Sequence, residues 1–195
     1  MKIAVCVLSQ DMLHADFAFA FNEAVVAALG AGYGVGVKNF RSSIVEKGRH
    51  DAVCWAKSME ADKVLFLDSD MSFPANTIKD LVKHDKPVIG CDCVRRRPPI
   101  ERLVKVAPGT LRVGLQQVAS LCGGIFMADA AVFAKIGEPY FEVQWDDDKK
   151  EFIGEDRNFF AKCQALGIPQ FCDFDLSEKV LHIGSYPFGI RNAKS

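Results

Sequence analysis

Two aspartates, Asp68 and Asp70, directly follow an apolar run of the chain, Lys63 to Leu67. Such a run is typical of a central strand that is buried on both faces. Ligands of an open α/β sheet gather at the carboxyl ends of its strands, and the alternation of a strand places both carboxylates on one side. Mg²⁺ and Mn²⁺ are commonly held by one or two carboxylates together with substrate phosphates. The pair therefore indicates a divalent cation with a diphosphate ligand, and the alternative is a solvated turn.

A second acidic pair, Glu155 and Asp156, follows Gly154 at the start of a predicted helix. Asp156 precedes Phe159 and Phe160 by three and four positions, which places its carboxylate on the core side of that helix. A carboxylate on that side indicates a functional role. The alternative is an acidic first turn that only offsets the helix dipole.

Two further residues, Arg49 and His182, lie within apolar patterns. Arg49 shares the predicted apolar face of a helix, which indicates an anionic ligand or a buried carboxylate partner. His182 ends a late apolar strand. Both a metal ligand and a structural histidine with satisfied hydrogen bonds are open alternatives for it.

Short strands that alternate with amphipathic helices must position these residues, and this alternation is typical of an α/β sheet. The first half predicts parallel pairing, and the second half adds mixed pairing. We therefore expect an α/β fold with a mixed, mostly parallel central sheet flanked by helices, in a single domain over residues 1–195. The predicted strands are Lys2 to Leu8, Tyr33 to Phe40, Lys63 to Leu67, Pro87 to Gly90, Thr110 to Ala119, Gly124 to Ala128, Gln170 to Cys172 and Val180 to His182. The predicted helices run from Asp16 to Leu29, from Ser42 or Ser43 to Ala61, from Pro74, from Asp129 and from Glu155 to Leu166.

Composition excludes several classes of protein. The 195 residues are 49% hydrophobic and 25% charged, which excludes a disordered or collagen-like chain. A net charge of −1 gives no general indication of a nucleic-acid or membrane partner. The uncharged stretch 24–37 is 14 residues long, and a membrane span needs about 18 or more, so no span is expected. Seven cysteines without a CxxC motif indicate a reducing compartment, and we expect the cytoplasm.

Four motifs, taken in order, resemble those of the GT-A glycosyltransferases, and they extend over roughly residues 3 to 184. The small size and the context of Arg49 resemble the compact GT-A proteins of bacteria and their phages, although His50 stands where those relatives often carry Asn. The four motifs are a DXD motif at Asp68-Ser69-Asp70, a glycine-rich loop at Cys122-Gly123-Gly124, an acidic xED motif at Gly154-Glu155-Asp156 and a C-terminal histidine at His182.

The resemblance implies a GT-A fold and a metal-dependent transfer of a sugar from a nucleoside-diphosphate donor to an acceptor hydroxyl. It implies that Mn²⁺ or Mg²⁺ is held by Asp70, Asp68 and His182 and helps the diphosphate to leave. Asp156 is then the expected general base, in a catalytic motif shared with Glu155, and direct displacement with inversion is expected. The residues expected to bind substrates are Arg49, Asp68, Gly123, Gly124, Arg95 and Arg97.

Arg95 and Arg97 belong to a basic segment, residues 95–102, which contains four arginines and two prolines and is opposed only by Glu101. In the GT-A arrangement that the chain resembles, this region lies toward the acceptor. Because arginine forks suit phosphate oxygens, we expect a phosphate-bearing acceptor, either a lipid-linked or nucleotide intermediate or a hydroxymethylated base in phage DNA. The alternative is a solvated basic face.

Two other functions remain open at the level of the sequence. A phosphoryl-transfer enzyme of the haloacid-dehalogenase type also carries an Asp-x-Asp after an apolar strand. In that class the motif normally follows the first strand, whereas two strand-helix units precede Asp68 here. A non-catalytic module that binds nucleotide sugars or nucleic acid is the other alternative.

Overall fold

The computed structural model describes residues 1–184 and 188–190, so residues 185–187 and 191–195 of the predicted domain lie outside the described residues. Helices α1 to α6 are Ala15–Gly30, Val45–Ser58, Thr77–Lys83, Ala130–Ile136, Glu155–Ala165 and Phe174–Ser177. Strands β1 to β12 are Lys2–Ser9, Gly34–Arg41, Lys63–Asp68, Met71–Ser72, Val88–Gly90, Leu115–Val118, Ile125–Asp129, Gln144–Asp146, Glu151–Ile153, Gln170–Asp173, Leu181–His182 and Phe188–Gly189.

Seven strands form the central sheet, in the order β2-β1-β3-β7-β5-β10-β6. β1 pairs in parallel with β2 and β3, as expected for strands joined by the crossover helices α1 and α2. β7 is antiparallel to β3 and β5, β10 is parallel to β5, and β6 is antiparallel to β10. Five of the seven strands thus run in one direction, which confirms the predicted mixed, mostly parallel sheet with flanking helices.

Helix α2 packs on the sheet through small residues. Ala52, Val53 and Ala56 are buried, and Arg49 is buried on the same side. Val45, in the first turn, is exposed, whereas Met59, just after the end of α2, is partly buried against the core. In the part of the chain that the structure describes, no helix is both long enough and apolar enough to cross a bilayer.

A cluster of phenylalanines holds α5 against the sheet. Phe66 on β3 stacks on Phe126 on β7 with ring centroids 4.7 Å apart, and Phe159 on α5 stacks on Phe133 and Phe141 at 5.5 and 4.8 Å. Each such pair contributes about 0.5–1.5 kcal/mol beyond the area that it buries. The cluster therefore fixes the N-terminus of α5 beside the carboxyl end of β3.

The second sheet is a feature that the sequence did not predict in full. β4 and β11 have two residues each and pair antiparallel, with His182 opposite Met71. Two-residue strands carry no readable periodicity. This pairing places His182 one residue from Asp70 in register. The hairpin of β8 and β9 and the short helix α6 were likewise not predicted.

Candidate active site

A cavity of about 750 Å³ lies at the carboxyl ends of β1 and β3. Its position agrees with the rule that ligands of α/β sheets bind outside the carboxyl ends of the strands. Eight of the ten residues predicted to act in a site line it, namely Arg49, Asp68, Asp70, Gly123, Gly124, Glu155, Asp156 and His182. The other two, Arg95 and Arg97, do not.

Arg49 lies in the buried wall of this cavity, and only 2% of its surface is exposed. Its Nη2 atom lies 3.0 Å from Asp68 Oδ1 and donates to the carbonyl oxygen of Gly123 at 3.2 Å, while its Nε donates to Glu155 Oε1 at 3.2 Å. One guanidinium therefore joins the end of β3, the glycine loop before β7 and the first turn of α5. Arg49 thus has two carboxylate partners, Asp68 and Glu155, of the kind that its apolar surroundings predicted.

The other face of the Arg49 guanidinium lies over aromatic rings. Its Cζ atom is 5.6 Å from the centroid of Phe126 and 5.8 Å from that of Phe66, distances at which a cation is attracted to a ring. Burial alone would lower the pKa of Arg49, but the charges of Asp68, Glu155 and Asp156 raise it above its ordinary value. Arg49 is therefore a permanent cation within the site.

Asp68 lies close to the Arg49 cation and to three other carboxylates, those of Asp70, Glu155 and Asp156. Burial raises the pKa of Asp68 to about 6, with Arg49 opposing the shift and Asp70, Glu155 and Asp156 adding to it. A third of the side chain is still exposed to the cavity. Asp68 can therefore bind a cation from the cavity side while Arg49 holds one of its oxygens.

Asp70 and His182 form the second polar cluster of the cavity. His182 Nδ1 lies 2.8 Å from the carbonyl oxygen of Val94, so Nδ1 carries a proton and donates it. In the neutral ring this leaves the lone pair of Nε2, which is 3.4 Å from Asp70 Oδ2. Metal-ligating histidines are commonly held in this way, by a backbone carbonyl on the other ring nitrogen.

One of the two carboxylate oxygens of Asp70 lacks a hydrogen-bond partner in the described part of the chain. Its Oδ1 atom is buried and has no hydrogen-bond partner among residues 1–184 and 188–190, which is costly for an anion unless a ligand completes the site. Burial alone would raise the pKa of Asp70, but His182 in its protonated form and the Arg96 guanidinium hold it below its ordinary value. A carboxylate that stays ionised, with an unpartnered oxygen and an imidazole lone pair beside it, fits Mn²⁺ or Mg²⁺.

Arg96 is a residue of the site that the sequence interpretation did not single out. Its Nη1 atom lies 2.9 Å from Asp70 Oδ2 and donates to the carbonyl oxygen of Ile183 at 3.0 Å. Its neighbours in the basic segment behave differently, because Arg95 pairs with Glu101 at 3.4 Å and Arg102 pairs with Glu178 at 3.5 Å. The sequence showed the run of arginines but could not show which of them turns toward the cavity.

Asp156 lies at the rim of the cavity with both carboxylate oxygens held by backbone groups. Oδ2 accepts from the amide of Gly123 at 3.0 Å, and Oδ1 accepts from the amide of Arg157 at 2.7 Å. Each carboxylate oxygen retains a lone pair after accepting one hydrogen bond. Asp156 is thus oriented by the glycine loop and can still accept a proton from a molecule in the cavity.

The two glycines of that loop allow close packing at the base of the site. A Cβ atom on Gly123 would lie 2.8 Å from Arg49 Nη2 and 3.0 Å from Asp156 Cβ, and one on Gly124 would lie 3.1 Å from Met71 Sδ. Any larger residue at position 123 would separate the basic and acidic groups that meet there.

The site carries an excess of negative charge. Five carboxylates line the cavity, and one of them, Asp11, pairs with Arg41 outside it. The other four, those of Asp68, Asp70, Glu155 and Asp156, face two guanidinium groups, those of Arg49 and Arg96. The difference is two formal negative charges at neutral pH. That excess equals the charge of one divalent cation.

No protein-family model matches the sequence, and no curated protein is recognisably similar to it. Solved structures do match. A197 from STIV aligns with a TM-score of 0.64 at 15% identity, over 94% of this chain and 86% of its own. The catalytic domain of Drosophila beta1,4-galactosyltransferase 7 in complex with xylobiose aligns with a TM-score of 0.58 at 14% identity, over 94% and 71%.

A mutant of the same Drosophila enzyme, in complex with manganese, UDP-Gal and xylobiose, aligns with a TM-score of 0.53 at 13% identity, again over 94% of this chain and 71% of its own. At these identities the likeness concerns the fold. It confirms the predicted GT-A fold class.

Proposed function

We propose that this protein is a metal-dependent glycosyltransferase, which moves a sugar from a nucleoside-diphosphate donor to an acceptor hydroxyl. The observation that carries the proposal is the pairing of His182 with Asp70 at the carboxyl end of β3, with His182 Nδ1 held by Val94 and Asp70 Oδ1 left without a described partner. A GT-A fold shared with a galactosyltransferase that was crystallised with manganese and UDP-Gal supports it.

Asp70 and His182 are the proposed ligands of Mn²⁺ or Mg²⁺, and Asp68 lies beside them, close to the nucleotide or the metal. A bound cation would act as a Lewis acid that neutralises the departing diphosphate. Arg49 fixes Asp68 from behind through its 3.0 Å contact, and it fixes Glu155 at 3.2 Å. We therefore assign Glu155 and Arg49 to the positioning of the site, with Arg49 and the glycine loop beside the donor.

Asp156 is the proposed general base. The acceptor hydroxyl gives its proton to Asp156, its oxygen forms a new bond to the anomeric carbon, and the bond from that carbon to the diphosphate oxygen breaks with its electron pair on the diphosphate. The amides of Gly123 and Arg157 keep the carboxylate oriented during this transfer. Direct displacement by this route inverts the anomeric centre.

The acceptor is proposed only as a hydroxyl compound. Two of the arginines expected to meet a phosphate-bearing or DNA acceptor are already paired, Arg95 with Glu101 and Arg102 with Glu178. Arg97 remains exposed beside them. The seven cysteines are free thiols, which supports a cytoplasmic location.

The proposal is tested by incubating the protein with a panel of nucleoside-diphosphate sugars, with and without Mn²⁺ and without an acceptor. We expect one donor to raise the melting temperature only when Mn²⁺ is present, and the same donor to be hydrolysed slowly to free sugar and nucleoside diphosphate. Release of inorganic phosphate would instead indicate a phosphatase, and binding without any hydrolysis would indicate a binding module. Asp156→Asn serves as the matched control for hydrolysis.

A further inference from the structure

Outside the cavity, His50, Cys54 and Glu138 bring three different metal-ligating groups together. One ligand atom of each side chain lies within 4.8 Å of the corresponding atoms of the other two. His50 and Cys54 are four residues apart on α2, so they project from the same face of the helix one turn apart. Glu138 approaches them from the segment that follows α4. None of the three lines the active-site cavity.

The chemistry of this set favours a thiophilic cation. An imidazole nitrogen, a thiolate and a carboxylate are the three ligand types that Zn²⁺ takes in proteins, at about 2.0–2.3 Å. Mg²⁺ and Mn²⁺ prefer carboxylates, carbonyls and water, and gain little from a thiolate. The two sites therefore differ in the cation that they would select.

Cys54 is suited to this role by its exposure. The other six cysteines are buried, and Cys54 is the exposed one. Glu138 is exposed as well, so an ion from solvent can reach both side chains. His50 is partly buried.

Tyr140 orients two of the three ligands. Its ring stacks on the His50 imidazole, with centroids 5.2 Å apart and an interplanar angle of 26°. Its hydroxyl donates to Glu138 Oε1 at 3.1 Å and accepts a hydrogen bond from the Lys57 ammonium. Tyr140 itself is 1% exposed and cannot move easily. Outer groups of this kind hold metal ligands in place and commonly contribute about 10–100-fold in metal affinity.

We propose that His50, Cys54 and Glu138 bind Zn²⁺, with water in the fourth position. Bound Zn²⁺ ties the middle of α2 to the segment that carries Glu138 and Tyr140. Because α2 also carries Arg49, the ion braces the helix that organises the cavity. The site does not depend on the glycosyltransferase reaction.

The test is a titration of the full chain with Co²⁺, whose bond to a thiolate gives a charge-transfer absorption band, followed by displacement with Zn²⁺. We expect one equivalent of Co²⁺ to produce the band, Zn²⁺ to remove it and Zn²⁺ to raise the melting temperature. Cys54→Ser should abolish the band, and Cys54→Ser, His50→Ala and Glu138→Gln should each weaken Zn²⁺ binding by about tenfold or more.

Asp51→Asn is the matched control, because Asp51 is a neighbouring carboxylate on α2 that pairs with Lys47 instead. It should leave the band and the affinity unchanged. A wild-type protein without a thiolate band, or a band that persists in Cys54→Ser and so arises from the buried thiols, would overturn the proposal.

Discussion

Arg96 Nη1 lies 2.9 Å from Asp70 Oδ2, so a guanidinium group from the segment after β5 neutralises the carboxylate that is proposed to hold the metal. The same oxygen is 3.4 Å from His182 Nε2. On the proposed function, the positive charge of Arg96 would compete with a divalent cation for Asp70, and a bound diphosphate would offer the same arginine a second anion.

Arg96→Ala should tighten the binding of Mn²⁺ alone. A partly exposed ion pair of this kind contributes about 0.2–1 kcal/mol, which corresponds to an increase in affinity of about 1.4- to 5-fold. The same variant should weaken the binding of a nucleoside diphosphate in the presence of Mn²⁺. Arg97→Ala is the control from the same segment and should change neither affinity in calorimetry. Looser Mn²⁺ binding by Arg96→Ala would contradict the competition.

Arg49→Ala should strongly destabilise the fold. Removal of the buried guanidinium leaves Asp68 and Glu155 without their shared partner, and such a loss costs about 3–5 kcal/mol. The free energy of unfolding in urea measures the effect. Arg41→Ala is the control, because Arg41 pairs with Asp11 on the exposed surface and should cost less than about 1 kcal/mol. An equal decrease in the free energy of unfolding for the two variants would show that the ion pairs of Arg49 contribute little to stability.

Asp68 should make the protein less stable as the pH rises from about 4 to about 6. Its pKa is raised from an ordinary value of about 4 to about 6 in the folded chain. Between these values the folded state binds more protons than the unfolded state, so the stability that this group contributes is lost as the pH increases. We expect the free energy of unfolding of the wild type, relative to that of Asp68→Asn, to fall across this interval and then to level off. A relative stability that rises with pH would mean that the pKa is lowered.

Asp156→Asn should fold, bind the donor and lose transfer. Loss of a general base costs about 10²–10⁴ in rate, whereas the Asn side chain can still accept the amide of Gly123. The measurement compares kcat for transfer with donor affinity from calorimetry. Asp148→Asn, in an exposed turn between β8 and β9, is the control and should be as active as the wild type. Turnover of Asp156→Asn near the wild-type rate would mean that Asp156 only offsets the dipole of helix α5.

Local patterns in the sequence predicted the main strands and the position of Asp68 and Asp70, because buried parallel strands are continuous apolar runs and the residues that follow them lie at one edge of the sheet. The inward side of α2 and α5 followed from the spacing of their apolar residues, and both Arg49 and Asp156 lie in the cavity.

The partners of these residues could not be predicted in the same way. His182 meets the carbonyl of Val94 across 88 positions, and Arg49 meets Glu155 across 106. Such contacts depend on how distant elements pack, and no local periodicity encodes them. The orientation of Arg96 could not be predicted either. Three consecutive arginines cannot be told apart in the sequence, and the direction of their segment depends on the bridge between Val94 and Arg102.

The central claim, a metal site that binds a diphosphate, is tested most directly by calorimetry of nucleoside-diphosphate binding, with and without Mn²⁺, for the wild type and Asp70→Asn. We predict weak binding of Mn²⁺ alone, binding of one nucleoside diphosphate that requires Mn²⁺, and loss of that Mn²⁺-dependent binding in Asp70→Asn with the fold intact by circular dichroism. Undiminished Mn²⁺-dependent binding by Asp70→Asn, or wild-type binding that is the same without Mn²⁺, would contradict the account.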